Sequence, residues 1–163
     1  MKLVYKRSDI VKGLLVYSIG DSIAAILLGE FLFTRVIGIL LVGATIYAFE
    51  IPNYFNWIEN KTKNYKKHKK ALVKTLLALL YFNPLWIFRH LVIIKIFSLQ
   101  SEFSFKNLLI ISSFSFLVNI PISFFGNFII QNKIKLNHRF LASAIFSALM
   151  AVYYALSETL FSL

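Results

Sequence analysis

The sequence predicts an all-α, polytopic membrane protein, a bundle of about five transmembrane helices forming one domain over residues 1–163. Three observations carry that prediction. Hydrophobic residues make up 58% of the chain, with mean hydropathy +0.71; soluble domains hold about 45–50%, and no soluble core of this length buries the excess. The apolar residues come in long runs separated by short basic ones, the pattern of membrane spans and their flanks. Lastly, 18 Lys+Arg against 7 Asp+Glu give a net charge of +11. In a membrane chain that charge faces lipid headgroups and sets orientation, so no nucleic-acid partner is expected.

Stretches long enough to cross roughly 30 Å of hydrocarbon fall at 13–30, 36–55, 75–94, 107–130 and 140–161. The first is short and the second follows almost at once, so the two form a tight helical hairpin. No small-residue cleavage site follows the first apolar part, which is therefore expected to remain as a helix. The N-terminus carries Lys2, Lys6, Arg7 and Lys12. The loop at 59–74 carries Lys61, Lys63, Lys66, Lys67, Lys69, Lys70 and Lys74, and the fourth connection Lys133, Lys135 and Arg139. Five spans put all of them on one side. The positive-inside rule then places the N-terminus inside and the C-terminus outside, in a bacterial inner membrane or an organelle membrane. The run "KTKNYKKHKK" is expected to anchor its loop and attract anionic lipids.

Ionisable groups inside a span are expensive and face a partner or water. Four stand out: Asp21, Glu50, Arg89 and His90. At 1.5 Å per residue Asp21 sits roughly 13 Å beyond Lys12, and Arg89 roughly 22 Å beyond Lys74. The long arginine stem brings an Asp21–Arg89 pair within reach. Alternatively Arg89 snorkels outward with Lys95 while Asp21 bonds to a Ser or Asn of another helix. Glu50 lies close to the inner end of its span.

The fourth span repeats Ser112, Ser115, Asn119, Ser123 and Asn127 at steps of three or four, so five polar side chains share one helical face. Such a face avoids lipid; it either glues helices together or lines a path for solute. Pro52, Pro84 and Pro121 lie in or near spans, where proline kinks helices. In the fifth span Ala144, Ala148, Ala151 and Ala155 form a small-residue seam that allows close approach within the bundle or between subunits of a homo-oligomer.

Enzyme chemistry finds no foothold. There is no cysteine, which excludes disulfides and Cys-based zinc sites. His68, His90 and His138 are scattered, and no nucleophile–base pair, phosphate loop or paired-carboxylate motif occurs. Neither an enzymatic activity nor a cofactor or metal is expected.

Several motifs together resemble a known family. Gly20-Asp21 followed by "SIA", Pro52 with Trp57, Phe82-Asn83-Pro84, Pro121 with Asn127-Phe128, and Arg139 fall in order along most of the chain. They resemble motifs of the peroxisomal and mitochondrial-inner-membrane protein family named after Mpv-seventeen. Departures include Ile51 in place of that family's Gly, Ala78-Leu79 in place of Asp-Gln, and Phe124 in place of Gln. The resemblance implies a small multispanning channel. A second, weaker one links "ISSFSFLVNIPISFFGNFII" and Glu102-Phe103 to the small bacterial alanine exporters, whose arginine-rich Pro-Tyr-Gly segment is missing here. The expected function is a channel or transporter for small polar solutes. Asp21 and the polar stripe would line its path, and Glu50, Arg89 or His90 would supply countercharge. The rivals are a non-transporting membrane subunit or scaffold, and an exporter of amino acids.

Overall fold

The computed structural model describes residues 3–161, except the side chains of Ala151 and of residues 154–161. Its regular elements are all helical: α1 (Arg7–Leu27), α2 (Phe33–Val42), α3 (Ala48–Lys61), α4 (Lys67–Tyr81), α5 (Pro84–Phe97), α6 (Phe105–Lys133) and α7 (Leu136–Phe161). A π-helical turn at Gly43–Tyr47 joins α2 to α3, and α4 runs almost directly into α5, so seven helices make five rods. Four rods, Arg7–Leu27, Phe33–Lys61, Lys67–Phe97 and Phe105–Lys133, are long and apolar enough to cross a membrane. Helix α7 has 26 residues, about 39 Å of helix at 1.5 Å per residue.

The rods close into a ring. α1 touches α2, α2 touches α5, α5 touches α6, α6 touches α7, and α7 returns to α1, while α3 reaches α7 and α4 lies on α6. Polarity is distributed as lipid requires. On α6 the stripe from Ser112 to Asn127 is buried, whereas Leu117, Val118, Ile122 and Phe125 on the opposite face are exposed. A soluble bundle has the reverse arrangement. These features are compatible with a membrane-spanning protein.

Local chemistry explains where the elements depart from the expected spans. α1 begins at Arg7 and stops at Leu27 because Gly29 takes φ 70°, and the Glu30 amide then donates to the Ala25 carbonyl at 2.8 Å. A left-handed residue two places past the last helical one reverses the chain. The basic loop expected at 59–74 shrinks to 62–66. The lysines from Lys67 to Lys74 are helical, since lysine is a good helix former and Thr75, Ala78 and Leu79 supply a buried face. The third span breaks at Phe82 and Asn83. Pro84 lacks an N–H and disfavours helical backbone at Asn83. Asn83 instead caps α5, its side-chain oxygen accepting from the amides of Leu85 (2.8 Å) and Trp86 (3.1 Å).

Two glycine contacts set the spacing of the ring. Gly13 of α1 lies on the backbone carbonyl of Gly43, and the reverse contact is equally close. Gly20 lies on Ala148 of α7. Small residues let helices approach this closely. The three basic segments meet at one end of the ring. There Glu59 of α3 accepts from Lys70 (3.0 Å) and Lys74 of α4 and from Arg139 of α7 (2.8 Å). The Val4 amide of the N-terminal segment bonds to Asn53 of the same rod at 2.9 Å.

Candidate functional site

Asp21 is 2% exposed, and its partner is Arg35, also 2% exposed. Arg35 Nε and Nη2 donate to the two carboxylate oxygens, both at 2.8 Å. This fork-on-fork geometry is the strongest form of the arginine–carboxylate pair. The Asp21–Arg89 pair expected from helix depth does not form, and Asp21 turns to a cation rather than to a Ser or Asn. The hairpin decides it: Asp21 and Arg35 stand equidistant from Leu28, so an antiparallel turn sets them opposite. Arg35 lies one residue before the span expected at 36–55, and the symmetry about Leu28 was the signal that could have found it. A third charge, exposed Glu30, lies 3.6 Å from Arg35.

Arg89 pairs instead with Glu50. Its Nη1 and Nη2 donate to Glu50 Oε1 (3.1 Å) and Oε2 (2.8 Å), and the Tyr81 hydroxyl donates to Oε2 at 2.8 Å. Glu50 stands nine residues, roughly 13 Å, from Glu59, so it lies well inside its rod and not at the end. Both side chains of this pair are 36% exposed. Beside them opens a cavity of about 360 Å³ lined by Glu50, Tyr81, Asn83, Leu85, Trp86 and Arg89.

Two irregularities of the fold lie close to that cavity. The break at Asn83 ends one face of it, and the π-helical turn ends at Tyr47, just before Glu50. π-Turns inside helices recur at functional sites. The Tyr47 ring touches Trp86 (centroids 5.5 Å apart), and Trp86 stacks on His90 at 5.5 Å. The Tyr47 hydroxyl and His90 Nδ1 share a 3.0 Å hydrogen bond, both groups buried. The Arg89 guanidinium lies over the Tyr47 ring, 5.6 Å from its centroid. Trp86 Nε1 and Arg89 Nε are buried and find no hydrogen-bond partner among the described residues. The expected intramembrane charges Glu50, Arg89 and His90 thus gather in one cluster, while Asp21 is engaged by Arg35 in a buried pair of its own.

No family model, curated protein or solved structure matches the chain. The site therefore has to be read from its own chemistry. A paired carboxylate and guanidinium, a phenol and an indole, all facing one open space, can bind a small polar molecule through charge, hydrogen bonds and ring faces. Among the described residues no group of three or more His, Asp or Glu side chains could hold a metal ion.

The remaining expected residues fall elsewhere. Ser112, Ser115, Asn119, Ser123 and Asn127 are all buried inside the ring. Ser112 donates to the Leu108 carbonyl of its own helix at 2.6 Å. The stripe extends one step further, to fully buried Gln131. In the alanine seam Ala144 is buried and Ala148 meets Gly20 of α1, so this part packs within one chain; the side chains of Ala151 and Ala155 lie outside the described residues. Sequence reading also missed the Glu59 cluster. Four charges spread over three helices had no spacing to betray them.

Proposed function

We propose that the protein is an integral membrane transporter or channel for small polar solutes, with the solute held at the Glu50–Arg89 cavity. The observation that carries this reading is the half-open ion pair, set deep within a rod and beside two helix irregularities. A purely structural pair in that position is best sealed, as Asp21–Arg35 is, because removing charge from water is repaid only by complete pairing. Interrupted helices that bare polar groups mid-span are a recurrent way of building solute sites in transporters. The resemblance to the Mpv-seventeen family points the same way. In this reading Glu50 and Arg89 take the solute-facing role first expected of Asp21, and His90 braces the site through Tyr47 and Trp86. The cluster of basic segments faces the inner leaflet, where anionic lipids favour it.

The test is efflux from liposomes holding purified protein, with radiolabelled glycerol, radiolabelled alanine and chloride as probes. Wild type is expected to exceed empty liposomes for at least one probe, and Glu50→Gln to cut that flux at least tenfold without loss of fold. Absence of flux for all three, from protein shown to be folded and inserted, favours the non-transporting subunit.

A further inference from the structure

Helix α6 carries four buried polar atoms with no partner among the described residues: Ser115 Oγ, Asn119 Oδ1, Asn127 Oδ1 and Gln131 Nε2. Their residues are 0%, 2%, 2% and 0% exposed. Buried polar groups are almost always satisfied, by protein or by ordered water. Four unmet atoms on one helical face therefore point to something that meets them.

Their arrangement says what. They fall into two pairs, Ser115 with Asn119 and Asn127 with Gln131, each pair four residues apart. Side chains so spaced have Cβ atoms about 5–6 Å apart on a helix, so two polar ends that do not bond each other directly, as Asn119 and Ser123 do, lie within reach of one bridging water. Ser123 fills the interval between the pairs. Its hydroxyl accepts from Asn119 Nδ2 at 2.8 Å, and its carbonyl accepts from Asn127 Nδ2 at 2.9 Å. A carbonyl oxygen only accepts, which pins the Asn127 amide: its NH₂ is engaged and its Oδ1 is left to accept. Gln131 Oε1 in turn accepts from Arg139 at 3.5 Å, which leaves Gln131 Nε2 to donate. The lower gap thus has a donor at one end and an acceptor at the other. The upper gap has the acceptor of Asn119 and a Ser115 hydroxyl able to serve either way.

We propose that one internal water occupies each gap, and that the two complete a hydrogen-bonded ladder from Arg139 through Gln131, Asn127, Ser123 and Asn119 to Ser115. From Ser115 to Gln131 the ladder covers sixteen residue steps, about 24 Å of helix. It turns the inner face of α6 into a hydrated strip through the bundle. It rests on the orphaned atoms of α6 alone and is independent of solute binding at Glu50–Arg89.

The experiment is water–amide cross-relaxation by NMR on deuterated, ¹⁵N-labelled protein in micelles. Rotating-frame spectra separate direct water contact from hydroxyl-relayed exchange by the sign of the cross-peak. Direct, long-lived water contacts are expected at the side-chain amides of Asn119, Asn127 and Gln131. In Asn127→Leu the contact at Gln131 should vanish while that at Asn119 persists; Gln131→Met should remove the one at Asn127 and spare Asn119. Glu50→Gln should leave all three in place. Absence of direct water contacts in the folded wild type, or survival of the Gln131 contact in folded Asn127→Leu, overturns the proposal.

Discussion

The ring holds two bidentate arginine–carboxylate pairs in opposite settings. Asp21–Arg35 ties α1 to α2 with side chains 3% and 2% exposed, while Glu50–Arg89 ties α3 to α5 with both side chains 36% exposed. The chemistry is the same and only the surroundings differ. The first pair is closed inside the hairpin of α1 and α2; the second lies beside the break at Asn83, with Glu50 three residues past the end of the π-turn. A sealed pair has no remaining capacity to meet a ligand. An open pair can exchange part of its mutual attraction for contacts with a solute. The contrast separates a charge kept for architecture from a charge kept for binding.

The largest effect is expected at the sealed pair. Arg35→Met strands Asp21 without a cation and should cost about 3–5 kcal/mol, read as unfolding at lower SDS fraction in mixed micelles. The double variant Asp21→Leu/Arg35→Met should recover most of that loss. If the single variant is as stable as wild type, the pair is not architectural and the contrast collapses. Next comes the interface that carries the pair. Gly13→Val drives a side chain into the Gly43 carbonyl and should cost about 1–3 kcal/mol in the same assay. Glu50→Gln should be the mildest, about 1 kcal/mol or less for so exposed a pair, even as it removes solute flux. Equal destabilisation by Glu50→Gln and Arg35→Met would show that both pairs serve the fold alone.

Much of the fold was legible because the bilayer imposes its demands on every residue. The apolar runs marked the rods, and the step of three or four from Ser112 to Asn127 marked the buried face of α6. What could not be read was partnership. Depth along separate helices made Asp21 and Arg89 look like neighbours, yet which rods touch is set by glycine contacts such as Gly13 on Gly43, far from either charge. Pro84 was visible as a kink, but its consequence was not. The opening beside it is shared with Glu50 of another rod, and no local pattern in "GATIY" announces the π-turn that precedes Glu50. The basic run looked like a loop because its lysines were weighed as charge, whereas the buried Thr75, Ala78 and Leu79 make it a helix.

A Glu50–Arg89 cavity that takes up a polar solute must open to water in the membrane, and the absence of cysteine makes a direct measurement available. Leu85 lines the cavity without touching the ion pair's hydrogen bonds, and Ile39 is fully buried in the apolar core. Leu85→Cys and Ile39→Cys proteins in liposomes would be reacted with a charged, membrane-impermeant maleimide. Leu85→Cys is expected to react at least tenfold faster than Ile39→Cys. Equal, slow reaction at both positions in folded, inserted protein would mean that the cavity is closed to water and that Glu50 and Arg89 hold no solute there.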